Sequence, residues 1–168
     1  MRLRRAPFAL ALAAATLGLL LSGCSPTVAL DPAAHANDPV CADVIVRLPA
    51  TVRNLDRRDT NAQSTGAWGD PAEVLLRCGV AVPTASDLPC VTVDDQDWLR
   101  DASKAPHDVY TSYGRTPAIA VVIDERELSA SSVLSELSGA VAFTKPNGHK
   151  CLSAEDSLDA SPSPTPSP

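Results

Sequence analysis

The sequence predicts an α+β domain: a two-layer sandwich whose mostly antiparallel sheet of four to five strands carries two helices on one face, stapled by two disulfides. Three observations predict it. Apolar segments of strand length, joined by short loops, lie between two segments of helical spacing, and short connections between successive strands favour antiparallel pairing. Both helical segments carry an apolar stripe that must be buried, which a shared sheet face accomplishes. Four cysteines sit inside this stretch, an even set for a small core.

Asp38-Pro39 has the form of an N-cap followed by proline at the first helical position, so the first helix starts there. Cys41, Ile45, Leu48, Val52 and Leu55 recur at helical spacing, with Pro49 as a break or kink. The following "VRNLDRRDTNAQSTGAWGD" reads as polar loop. Ala72 to Cys78 is an apolar run after a Gly69-Asp70-Pro71 turn, and Trp68 beside that turn reads as a core plug. "GVAVPTASDLP" is a proline-rich connection. Cys90, Val91 and Val93 begin a second strand, with Asp94-Asp95-Gln96 as a tight turn or bulge before Trp98 and Leu99. "VYTSY", a Gly114-Arg115 turn and "PAIAVVID" read as a hairpin. A last helix is expected over 132–142, capped by Ser131 or Ser132, with Val133, Leu134, Leu137 and Val141 on one side.

The amino terminus gives an address. Arg2, Arg4 and Arg5 precede "PFALALAAATLGLLL", an apolar run too short for a spanning helix, and Leu21-Ser22-Gly23-Cys24 has the form of a bacterial lipobox. Residues 1–23 are therefore expected to be a lipoprotein signal peptide, with Cys24 carrying a diacylglyceryl group that holds the protein on the outer face of a membrane. Residues 24–40 read as the lipidated cysteine and a flexible tether, which sixteen extended residues stretch to about 50 Å. Residues 41–153 form one globular domain, and 154–168, ending in "SPSPTPSP", a disordered tail.

The chain of 168 residues has a formal net charge of −6. Loss of the three signal-peptide arginines leaves 11 basic residues against 20 acidic, a net −9. Nucleic-acid binding and a polybasic membrane-binding surface both demand the opposite sign.

With Cys24 given to lipid, Cys41, Cys78, Cys90 and Cys151 remain for two disulfides. If the first helix and the strand ending at Cys78 run antiparallel, Cys41 lies near Cys78 and Cys90 pairs with Cys151. Pairing Cys78 with Cys90 and Cys41 with Cys151 is the competing arrangement. No cysteine pair has zinc-ligand spacing and His35, His107 and His149 are scattered, so no metal is expected. There is no Gly-x-Ser-x-Gly elbow, no phosphate-cradling glycine loop and no EF-hand around Asp94, Asp95 and Asp97, so no catalytic residue and no cofactor are assigned. Arg57 and Arg58, with Arg53, form the one basic cluster, and with Trp68 and Asp70 they are the candidate ligand or partner contacts. Asp70 beside Trp68 and Asp97 beside Trp98 supply the one pair of carboxylates with aromatic neighbours that sugar chemistry would use.

Cys41, Leu48-Pro49, Arg57-Arg58, Ala67-Trp68-Gly69-Asp70-Pro71, Leu76-Arg77-Cys78-Gly79-Val80 and Trp98 together resemble the actinobacterial domain-of-unknown-function 3515 family of exported lipoproteins, over roughly residues 40 to 145. Asp94-Asp95-Gln96 departs from the resemblance, where something closer to Asn-Gly is expected. The resemblance implies cell-envelope work and no assigned activity, so it transfers no catalytic residue. Two functions follow as expectations: a non-catalytic binding or scaffold module engaging a cell-wall component or an envelope protein, or a wall-directed enzyme using Asp70 and Asp97 near Trp68 and Trp98.

Overall fold

The computed structural model describes residues 26–84 and 86–152. The signal sequence, Cys24 and the 154–168 tail lie outside the described residues.

Helix α1 (Pro39–Ile45) starts where the sequence places it: the Asp38 carboxylate accepts from the Val40 amide at 2.8 Å, with proline in the first turn. It is only seven residues long. Leu48, Val52 and Leu55 continue its spacing, yet Val52 closes β1 (Thr51–Val52) and Leu55 opens β2 (Leu55–Arg58). Pro49 ends the helical path, and Arg53 and Asn54, both at positive φ (51° and 65°), make a two-residue turn that pairs Val52 with Leu55. The helical spacing that runs past the expected break at Pro49 is thus a short helix followed by a hairpin.

β3 (Thr65–Trp68), β4 (Val74–Val80), β5 (Cys90–Val93), β6 (Gln96–Asp101), β7 (His107–Tyr113) and β9 (Ala118–Asp124) complete an eight-stranded antiparallel sheet in the order β1-β2-β3-β4-β9-β7-β6-β5. The short β8 (Arg115–Thr116) pairs with β10 (Lys145–Pro146) after the last helix. The sheet is larger than the expected four to five strands because β2 and β3 lie within the segment read as polar loop. β2 is a charged strand near the sheet edge, and β3 is built mainly of small residues, so neither shows an apolar alternation.

The "VYTSY"/"PAIAVVID" hairpin forms as β7 and β9. Asp94 and Asp95, at φ 48° and 61°, form the two-residue turn that puts Val93 opposite Gln96 and fixes the β5–β6 register. α2 (Ala130–Val141) begins two residues earlier than expected, with Ser129 at the cap position, and buries Val133, Leu134, Leu137 and Val141. Burial of each of these side chains is worth about 1.5–3 kcal/mol.

Strand alternation puts Trp68, Val74, Leu76, Cys78, Trp98, Tyr110, Ile119, Val121 and Ile123 in one core with the apolar stripes of both helices. Both helices therefore pack on the same face of the sheet. Cys41 pairs with Cys78, tying α1 to β4, and Cys90 pairs with Cys151, tying the edge strand β5 to the segment after β10. This is the pairing that strand direction favours.

Residues 26–38, expected to be free tether, lie along the domain. The Val28 amide donates to the Asp59 carbonyl at 2.8 Å, Asn61 N–H returns a bond to Val28 O at 3.3 Å, and the Leu30 amide donates to Asn61 Oδ1 at 2.8 Å. Further on, His35 N–H donates to Gly79 O at 2.9 Å and the Ser64 hydroxyl to Ala36 O at 2.6 Å. Gly79 is required there: with φ at 89°, a Cβ would stand 2.4 Å from the His35 carbonyl carbon.

Candidate functional site

β2 brings the predicted arginines to the sheet edge and aims them apart. Arg57 pairs across the ladder with Trp68 and shares the helix-bearing face with Leu55, whereas Arg58, opposite Ala67, faces the other way.

Arg58 is enclosed. Its side chain is 9% exposed, and its guanidinium donates to Gly69 O at 2.9 Å and Pro26 O at 2.7 Å, with Asp70 Oδ1 3.0 Å away. It joins three separate pieces of chain: the first described residue, β2 and the Gly69-Asp70-Pro71 turn. Asp70 itself is exposed.

Arg57 is differently placed. It is half-buried, and its Nη1 lies 3.4 Å from both the Ile45 and Leu48 carbonyl oxygens, at the long limit of hydrogen bonding. Among the described residues its guanidinium has no ion-pair partner, in contrast to Arg58, Arg100 and Arg126. Arg57 borders a cleft of about 760 Å³ whose walls include Ile45, Leu48, Asp56, Asp59, Thr60 and Thr65. The Thr65 hydroxyl donates to Ala62 O at 2.6 Å and lies 2.7 Å from the Thr60 hydroxyl, which holds the far wall in shape. A second hollow of about 410 Å³ flanks β2, bounded by Asn54, Leu55, Gly69 and Asp70 together with both arginines.

Trp68 lies beneath this edge with no exposed surface, its indole N–H donating to Pro49 O at 3.1 Å. It is the core plug of the sequence reading and presents no ring to a ligand. Asp97 does not approach Asp70. It sits on β6, where it accepts from the Thr92 hydroxyl at 2.6 Å and the Cys151 amide at 2.8 Å. β4, β9 and β7 separate β3 from β6, which at the usual strand spacing is about 19 Å. Paired carboxylates in glycoside hydrolysis work within about 10 Å of each other, so the aspartate pair of the enzyme reading does not assemble. Trp98, like Trp68, is fully buried.

Sequence reading missed a second polar constellation at the other end of the sheet. Arg100 on β6 donates through Nε to Asp108 Oδ2 at 2.8 Å and through Nη2 to Glu125 at 2.8 Å, and the Tyr110 hydroxyl donates to the same Glu125. Asp108 is 1% exposed, and among the described residues its Oδ1 has no hydrogen-bond partner. Burial, followed by the hydrogen bond to Glu125, pushes the Tyr110 phenol far above its ordinary range. The hydrogen bond to Asp108 raises the Arg100 guanidinium further. Nearby, Asp124 is held at about 2, chiefly by its hydrogen bonds from Arg126. The network clasps β6, β7 and the turn after β9. Arg100 falls opposite Tyr110 in the β6–β7 ladder, a register set by the connection between those strands and not announced by any local pattern. Among the described residues no group of three or more histidine, cysteine or acidic side chains is placed to hold a metal.

A family model described as "Protein of unknown function (DUF3515)" matches residues 7–149. The chain belongs to that family. The DUF3515 match takes in the Arg57 cleft, both disulfides' first three cysteines and the whole eight-stranded sheet. No curated protein and no solved structure matches the chain.

Proposed function

We propose that the protein is an extracytoplasmic lipoprotein, anchored to the outer face of the cell membrane through Cys24, whose domain is a non-catalytic binding module of the cell envelope. The lipobox-like Leu21-Ser22-Gly23-Cys24 supports the anchor, and two disulfides suit an oxidising compartment. The observation that carries the binding role is Arg57, a half-buried guanidinium with two long carbonyl contacts at the wall of a cleft. A planar guanidinium offers paired donors to a carboxylate or phosphate. Asp56 and Asp59 at the same cleft select a ligand that also carries hydroxyl or amine donors. A peptide-bearing wall fragment, with carboxylates and amines together, has that chemistry.

Titration of the isotope-labelled protein with solubilised peptidoglycan fragments tests this. Shifts should concentrate at Arg57, Thr60 and Thr65 and vanish in Arg57→Gln. Shifts elsewhere, or shifts indifferent to that substitution, would contradict it.

A further inference from the structure

Where the tether is bound determines which side of the domain meets the membrane. A free sixteen-residue tether with a reach of about 50 Å would let the domain turn through every orientation. The structure leaves far less slack. Pro26 O is held by Arg58, Val28 and Leu30 are bonded to the 59–61 turn, and His35 and Ala36 are fastened to Gly79 and Ser64. Behind them, the Cys41–Cys78 disulfide makes the attachment covalent. Between Cys24 and Pro26 there remain two residues' length of chain, at most about 7 Å. Asp59 and Thr60, which Val28 meets, belong to the cleft beside Arg57.

We propose that the bound segment 26–36 mounts the domain on the bilayer in one orientation, with the β2 edge, beside the Arg57 cleft, against the lipid surface. This rests on the reading that Cys24 carries lipid. The partner is the lipid surface itself, and the cleft then samples groups at the membrane face before those of the distant wall. The mount is mechanical. A domain of net charge −9 has no general attraction for anionic headgroups, so the orientation should persist at high salt, where charge-driven docking is screened within a few ångströms.

The test uses the full-length protein, expressed with isotope labels, purified from membranes and placed in nanodiscs carrying nitroxide-labelled lipid headgroups. The amide signals of Asp59, Thr60 and Asn61 should lose most of their intensity. Ser103 should keep its signal, since it lies between β6 and β7, four to five strands from β2 and about 19–24 Å across the sheet. A flexible Gly/Ser linker inserted between Ser25 and Pro26 should spread the broadening over all faces, with the fold and anchor unchanged. Mass spectrometry of the same sample reads the lipid on Cys24. Lipid present with even broadening overturns the mount and leaves the anchor standing. Focused broadening that survives the linker also overturns the mount, because the face would then bind membrane by itself. Absence of lipid on Cys24 removes the anchor and the mount with it.

Discussion

The Arg58 guanidinium donates to the Pro26 carbonyl at 2.7 Å, joining the start of the described chain to the sheet edge that carries the candidate site. The same side chain holds Gly69 O, so the "WGDP" turn, the strand β2 and the amino-terminal segment share one half-buried cation.

That sharing separates two substitutions that sequence alone would treat alike. Arg58→Ala removes charge-assisted bonds from an enclosed position and should cost about 2–4 kcal/mol, at about 1.5–3 kcal/mol for each such bond with partial relaxation. Asp70→Asn removes only the exposed partner of the ion pair and should cost at most about 1 kcal/mol. Denaturant unfolding of the two variants checks the ranking, and hydrogen exchange should show the Val28 and Leu30 amides released in Arg58→Ala alone.

The two disulfides should differ in accessibility. Cys41 and Cys78 are both without exposed surface, whereas Cys90 is exposed at the sheet edge. Spanning 37 and 61 residues, each stabilises by about 4 kcal/mol on the chain-entropy model. Graded reduction followed by alkylation and mass spectrometry should open Cys90–Cys151 first, with Cys41–Cys78 opening only as the domain unfolds.

Acid should destabilise the turn after β9. The Asp124 carboxyl is depressed from 3.8 to about 2, mainly by the Arg126 hydrogen bonds. A group whose folded value is depressed gives stability that is complete above its unfolded value and is lost as pH falls through the folded one. The Asp124 contribution is therefore whole above about pH 4 and disappears between roughly pH 4 and 2. Thermal melts over that window should fall less steeply for Asp124→Asn than for the unsubstituted protein.

The β5–β6 turn offers a stabilising change. Asp95 sits at φ 61°, a conformation that glycine adopts without a Cβ penalty. Asp95→Gly should raise stability by about 0.5–1 kcal/mol, read as a higher denaturant midpoint with unchanged slope. Asp94 should be kept, because its carboxylate accepts from the Ser135 hydroxyl of α2.

Much of this architecture was legible in the residues. Asp38-Pro39 marked a helix start because capping is local chemistry, and the Cys41–Cys78 pairing followed from running α1 and β4 in opposite directions. The β7–β9 hairpin declared itself through its apolar run and glycine turn. What escaped was non-local. β3 reads Thr-Gly-Ala-Trp, with no alternation, yet all four residues are buried because neighbouring elements cover them. Leu48, Val52 and Leu55 kept a helical spacing although two left-handed residues at 53–54 reverse the chain. "SPTVALDPAAHANDPV" has no period because its bonds go to the 59–61 turn and to Gly79, partners that no local pattern announces. At the site, the adjacency of Arg57 and Arg58 suggested one cluster, while strand alternation sends them to opposite faces with different roles.

The claim that Arg57 is the ligand-receiving group is tested most directly in the cell. A photoreactive residue at Ala62, which lines the Arg57 cleft, should crosslink to an envelope component, and the adduct should disappear when Arg57→Gln is added while the protein remains folded and membrane-bound. An adduct that persists unchanged in Arg57→Gln, or the absence of any adduct from the folded protein, would contradict the account.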